Sequence, residues 1–155
     1  MTGARVIALG QPAAGDDAVG LAVLEHLRRD GVADGVELVH AVNDGVLITL
    51  LETPRPVLLI DAVLGERPGV VLEVTPEQLD ATGLHPVSTH GLGAAQAIAL
   101  ARAIAPATVS PAIRIVGITI APPVRCMQGL SPAVAAAVPH AAARVRALAA
   151  GDSHA

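Results

Sequence analysis

Short apolar runs alternate along this chain with longer stretches in which apolar and polar positions recur at helical spacing. Residues 5–9 form a β-branched run that stops at Gly10 and reads as a buried strand. A loop rich in Gly, Pro and Ala follows, and Asp16 or Asp17 opens a helix that continues to Arg29. Residues 36–41 read as a second strand. Asn43, Asp44 and Gly45 carry turn chemistry, and 46–51 reads as a short helix. Residues 57–60 are continuous aliphatics ending in Asp61, the pattern of a central parallel strand covered on both faces. Residues 70–74 are another strand, 76–81 a helical turn, 92–105 an Ala-rich helix and 113–118 the last strand. Ser131 followed by Pro132 is a helix-start signal, and that helix runs to Ala149 with a kink expected at Pro139.

The connection between the strands at 57–60 and 70–74 contains Gly65, Pro68 and Gly69. A parallel crossover needs roughly a dozen residues or more, so this short link predicts a hairpin with 70–74 antiparallel at an edge. Strands otherwise alternate with helices. The expected fold is a three-layer α/β/α sandwich on a mostly parallel five-stranded sheet with one antiparallel edge strand. Residues 1–150 read as one domain and 151–155 as a disordered tail.

Composition narrows the function. Of the 155 residues, 52% are hydrophobic and 15% charged, enough for one sizeable core. There is no Phe, Tyr or Trp, so small aliphatic contacts must fill it. The same absence removes base-stacking platforms. With a formal net charge of −4 and no basic patch, nucleic acid is not an expected partner. The longest apolar runs are broken by Arg, Asp, Gly or Pro, so no membrane span is expected. One cysteine, Cys126, excludes an intrachain disulfide and fits a reducing, cytoplasmic setting.

Ligands of open α/β sheets bind beyond the carboxyl ends of the strands. Asp16 and Asp17 follow the first strand, and Asp61 ends the third. His90 starts the helix that descends from the same edge. Each has a bland alternative. An acid in a first helical turn caps free N–H groups, an acid after a buried strand bonds turn amides, and a histidine at a helix start is a structural hydrogen-bonder. Asp17 is harder to dismiss, because it shares an inward stripe with Gly20, Leu21 and Leu24, where a carboxylate needs a partner. Convergence of acids and imidazole on one rim suits a divalent metal such as nickel or zinc, with positions left open for substrate or water. Ser88 and Thr89 read as helix caps, and Cys126 as a loop thiol with no base or helix terminus to activate it. His26 and His140 fall on helix surfaces. The spacing from Gly10 to Gly15 lacks the Lys and Ser/Thr of a phosphate loop.

Taken in order, these motifs resemble a known family. The segment from Gly10 through Asp16-Asp17 to Gly20, the run Leu-Leu-Ile-Asp61-Ala-Val, the triplet Ser88-Thr89-His90, and the C-terminal Val-Gly117-Ile and Gly129-Leu-Ser131-Pro132 are similar to the signatures of nickel–iron hydrogenase maturation endopeptidases. The resemblance implies a five-stranded α/β/α sandwich. It also implies removal of a C-terminal extension from the precursor of a [NiFe]-hydrogenase large subunit after nickel insertion. It assigns the metal contacts to Asp17, Asp61 and His90, with nickel carried by the substrate rather than held permanently. Two positions depart from the family pattern: Gln11 replaces an asparagine and Ala18 a glycine. Neither removes an implied ligand, and Ala is a good helix former.

The expected function is therefore a peptidase maturing that precursor, acting as a monomer. Asp17 or Asp61 would activate water or hold the metal that polarises the scissile carbonyl. Two alternatives are a non-catalytic module that inspects nickel on a partner, and a small-molecule hydrolase on the same sheet.

Overall fold

The computed structural model describes residues 3–10, 15–81, 85–86, 93–122 and 129–151. Strands β1 (Arg5–Ala8), β2 (Glu37–His40), β3 (Val57–Leu64), β4 (Val71–Val74), β5 (His85–Pro86) and β6 (Ile113–Ile120) form one sheet. Its main path runs β2-β1-β3-β6-β4, with β5 added onto β3. The first four strands of that path are parallel neighbours, and β4 is the antiparallel edge. The helices are α1 (Val19–Asp30), α2 (Asp44–Leu51), α3 (Pro76–Ala81), α4 (Ala94–Ile104) and α5 (Pro132–Ala149). A 3-10 turn, Gly15–Ala18, leads into α1.

Side chains alternate across the strands, so each central strand feeds two cores. On one face Val6, Leu58, Ile60, Val116 and Ile118 pack against Val19, Val23 and Leu27 of α1 and Val134, Ala141 and Val145 of α5. On the other, Ile7, Leu59, Val63 and Ile115 meet Leu47 and Leu51 of α2, Leu79 of α3, and Ala97, Ile98 and Ala101 of α4. The three expected layers are present without Phe, Tyr or Trp.

The sheet departs from the sequence reading in three ways. First, β3 does not end at Asp61 but continues to Leu64, because β6 stays paired with it through Leu64 and Ile120. Second, β4 makes no hairpin with β3. It pairs with β6, which inserts between the two. An uninterrupted apolar β3 gains more from a second fully buried neighbour than from the half-buried β4. Third, β5 adds a two-residue antiparallel pairing at Val63 and Leu64.

The start of α2 also shifts, and α5 keeps its expected span. Asn43 is the N-cap of α2, its side chain accepting from the Val46 N–H at 2.8 Å, so this helix starts at Asp44. α5 runs through Pro139, which lies on its exposed side. Glu73 takes hydrogen bonds from Arg114 and Arg144 and ties β4 to β6 and α5. No helix among the described residues is long and apolar enough to cross a membrane.

Candidate active site at the carboxyl edge of the sheet

β1 stops at Ala8, level with Ile60 of its neighbour. β3 and β6 run on together, leaving a step in the sheet above β1. Asp61 is the first β3 residue beyond that step. In a parallel ladder alternate residues bond to alternate neighbours. Ile60 O accepts from Leu9 N at 2.9 Å on the β1 side. Ala62 N–H is the next donor on that side, and β1 has already ended. It donates instead to Asp61 Oδ1 at 2.9 Å, which aims the carboxyl along the step.

Two glycines bring Asp17 to the same place. A Cβ on Gly20 would sit 2.5 Å from Leu9 O and 2.8 Å from Ile60 O, so α1 seats its first turn directly on the end of β1 and the middle of β3. Gly10 has φ +115°, and a Cβ there would lie 2.3 Å from Asp17 O. Its backbone thus presses on that of Asp17. The 3-10 turn that results packs against β3. Asp17 is 9% exposed and Asp61 5%, an unusual depth for carboxyl groups.

Burial raises the Asp17 carboxyl above its ordinary value. Asp61 is pushed up to about 8, first by burial and then by the charge of Asp17, against the lowering effect of the Ala62 N–H. Asp17 therefore ionises ahead of Asp61, and near neutrality the pair holds a proton. Such a pair supplies one base and one acid. A cation that displaces the proton would find two oxygen donors instead. Among the described residues, no group of three or more His, Cys, Asp or Glu side chains is placed to share a metal ion. His90, Ser88, Thr89, Gln11 and Cys126 lie outside the described residues. The flanking chain is described: β5 pairs at the carboxyl end of β3, and α4 begins at Ala94.

Asp16 separates cleanly from its neighbour. Its Oδ1 accepts from Ser131 N at 2.6 Å and its Oδ2 from Ser131 Oγ at 2.8 Å. Ser131 is the N-cap position of α5, as expected, but its hydroxyl serves Asp16 rather than its own helix. The bland reading of an acid as a capping group thus holds for Asp16 in another helix, and leaves Asp17 for the site. Ser131→Ala keeps the backbone contact and loses the hydroxyl one. It should cost about 0.5–1.5 kcal/mol in urea unfolding.

His40 was not singled out by sequence. It closes β2 at the same edge, and its Nε2 lies 2.9 Å from Gly10 O. The signal was available, because a histidine ending a strand on the ligand-binding edge satisfies the rule that selected Asp61. A shallow, open groove lined by Glu52, Thr53, Arg102 and Ser110 lies at the opposite edge, and its Arg102 is already paired with Glu77.

A family model described as hydrogenase maturation protease, HycI, matches residues 22–147. The chain belongs to the hydrogenase maturation protease family. Within that match lie Asp61, β3, β6 and all but the last two residues of α5, whereas Asp17 precedes it. Solved maturation proteases share the fold. The hydrogenase maturating endopeptidase HybD from E. coli superposes with a TM-score of 0.77 at 22% identity, covering 99% of this chain and 94% of that one. The [NiFe] hydrogenase maturation protease HybD from Thermococcus kodakarensis gives 0.73 at 23% identity, covering 96% and 99%. The endopeptidase HycI from Escherichia coli gives 0.71 at 18% identity, covering 94% and 90%. No match is found among curated protein sequences.

Proposed function

We propose that this maturation protease removes the C-terminal extension of a nickel-loaded [NiFe]-hydrogenase large-subunit precursor, and that Asp17, Asp61 and His90 read the nickel its substrate carries. The observation that carries the reading is the buried Asp17–Asp61 pair at the step above β1, on a chain of this family. Buried carboxyls beside the end of β1 cost stability, and among the described residues neither caps a helix, unlike Asp16. Oxygen donors suit a hard or borderline divalent ion, and an imidazole would add the nitrogen that nickel favours.

In this reading Asp17, which ionises first, takes the proton of the attacking water. The proton that Asp17 takes up is then returned to the leaving amine, while Asp61, its own proton displaced, holds the ion. Nickel polarises the scissile carbonyl only when the precursor brings it. We place the reaction in the cytoplasm, with the protease acting as a monomer.

The test is calorimetry of the wild-type chain with a precursor whose scissile bond is blocked. Nickel-loaded precursor should bind more tightly than nickel-free precursor. Affinity should strengthen as pH rises towards about 8, because Asp61 must shed its proton to meet the ion. Equal affinity for both forms would remove Asp17, Asp61 and His90 as readers of the metal.

A further inference from the structure

We propose that His40 is a positioning residue for the carboxyl pair, its ring holding the Gly10 carbonyl and so fixing the turn that carries Asp17. The proposal rests on the peptidase reading for its consequence and on geometry for its substance. The backbone pairing of β1 with β2 ends where Ala41 N donates to Ala8 O at 3.0 Å. Beyond that point the His40 ring continues the link, with Nε2 2.9 Å from Gly10 O. A carbonyl oxygen only accepts, so Nε2 carries the proton and donates.

The bond falls at a sensitive place. Gly10 adopts φ +115°, in the left-handed region that favours glycine, and its α-carbon faces the Asp17 carbonyl too closely for any Cβ. Displacing the Gly10 peptide therefore displaces the Asp17 backbone. Asp17 in turn sets the charge that Asp61 feels. The chain of contacts runs from the His40 ring to Gly10, to the Asp17 backbone, and to the carboxyl pair. Among the described residues His40 makes no hydrogen bond to either carboxyl and acts through Gly10. Misplacement of a catalytic group by about 1 Å can cost on the order of a hundredfold in rate.

Two substitutions separate the donor from the bulk. His40→Leu fills similar space without a donor, and His40→Gln places an amide N–H at comparable reach. On nickel-loaded large-subunit precursor, His40→Leu should lower kcat about tenfold or more with KM within about twofold, and His40→Gln should recover most of the loss. The two variants should melt at similar temperatures. Unchanged kcat in His40→Leu, or His40→Gln no better than His40→Leu, would overturn the proposal. Backbone NMR supplies a readout without substrate. The Gly10 and Asp17 amide signals should move in His40→Leu and return in His40→Gln, and signals that stay put in His40→Leu contradict the clamp. If His40→Leu does not fold, the wild-type ring decides: ¹⁵N shifts must report the Nε2–H tautomer, and an Nδ1–H tautomer overturns it. If the variants show the amide response but the wild-type chain cleaves nothing, the peptidase reading fails and the clamp stands.

Discussion

Asp61→Asn should stop precursor processing while making the folded chain more stable near pH 8. Loss of a positioned acid or base typically costs about 10²–10⁴ in rate, and here the same change removes an oxygen donor. The stability gain follows from linkage. In the folded chain Asp61 titrates at about 8, against 3.8 as the reference for the unfolded chain. Below both values the group is protonated in either state and costs nothing. Between them the unfolded chain ionises and the folded chain does not, so stability falls steadily as pH rises from about 4 to about 8, and is then level. The full loss is on the order of 5 kcal/mol. Asparagine has no proton to hold and keeps an Oδ1 for the Ala62 N–H. Thermal unfolding should give the variant a higher Tm than wild type at about pH 8, by roughly 10 °C, and a shallower decline from pH 4 to 8. Parallel curves for the two proteins would mean that Asp61 is not held protonated.

Gly20→Ala should lower both stability and processing. In an ordinary helix the change gains up to about 1 kcal/mol. Here the new Cβ would sit 2.5 Å from Leu9 O and 2.8 Å from Ile60 O, both backbone atoms that have no rotamer to yield. α1 must lift off the sheet, at a net cost of about 1–3 kcal/mol. Asp17 stands one short turn before Gly20, so it moves away from Asp61 with the helix. Urea unfolding and precursor cleavage should both report the damage. A Gly20→Ala protein as stable and active as wild type would show that the first turn of α1 is not seated on β1 and β3.

Much of this was legible in the residues. The uninterrupted aliphatics at 57–60 mark a strand buried on both faces, and a carboxyl at its edge stands out against them. Asp17 stands out because it shares a face with Leu24, which is fully buried in α1. What the sequence hid was long-range. The residues after Asp61 are as apolar as those before it, so nothing local says that β3 continues while β1 stops. A short connection fixes the direction of β4 but not its neighbour, and β6 enters the sheet between β3 and β4. Asp16 finds its partner 115 residues away at Ser131, where no spacing rule reaches. His40 looks like any polar strand end until Gly10 is folded against it. Gly20 reads as a weak helix position until the carbonyls beneath it are seen.

The central claim is that this member of the family cuts a nickel-loaded hydrogenase precursor using the carboxyl pair above β1. The most direct measurement is the intact mass of a [NiFe]-hydrogenase large-subunit precursor after incubation with the wild-type chain and with Asp17→Asn. The account predicts that wild type converts nickel-loaded precursor to one product lacking a single C-terminal fragment and leaves nickel-free precursor whole, and that folded Asp17→Asn cuts neither form. Intact precursor in every tube, or the same cut by Asp17→Asn at the wild-type rate, would contradict it.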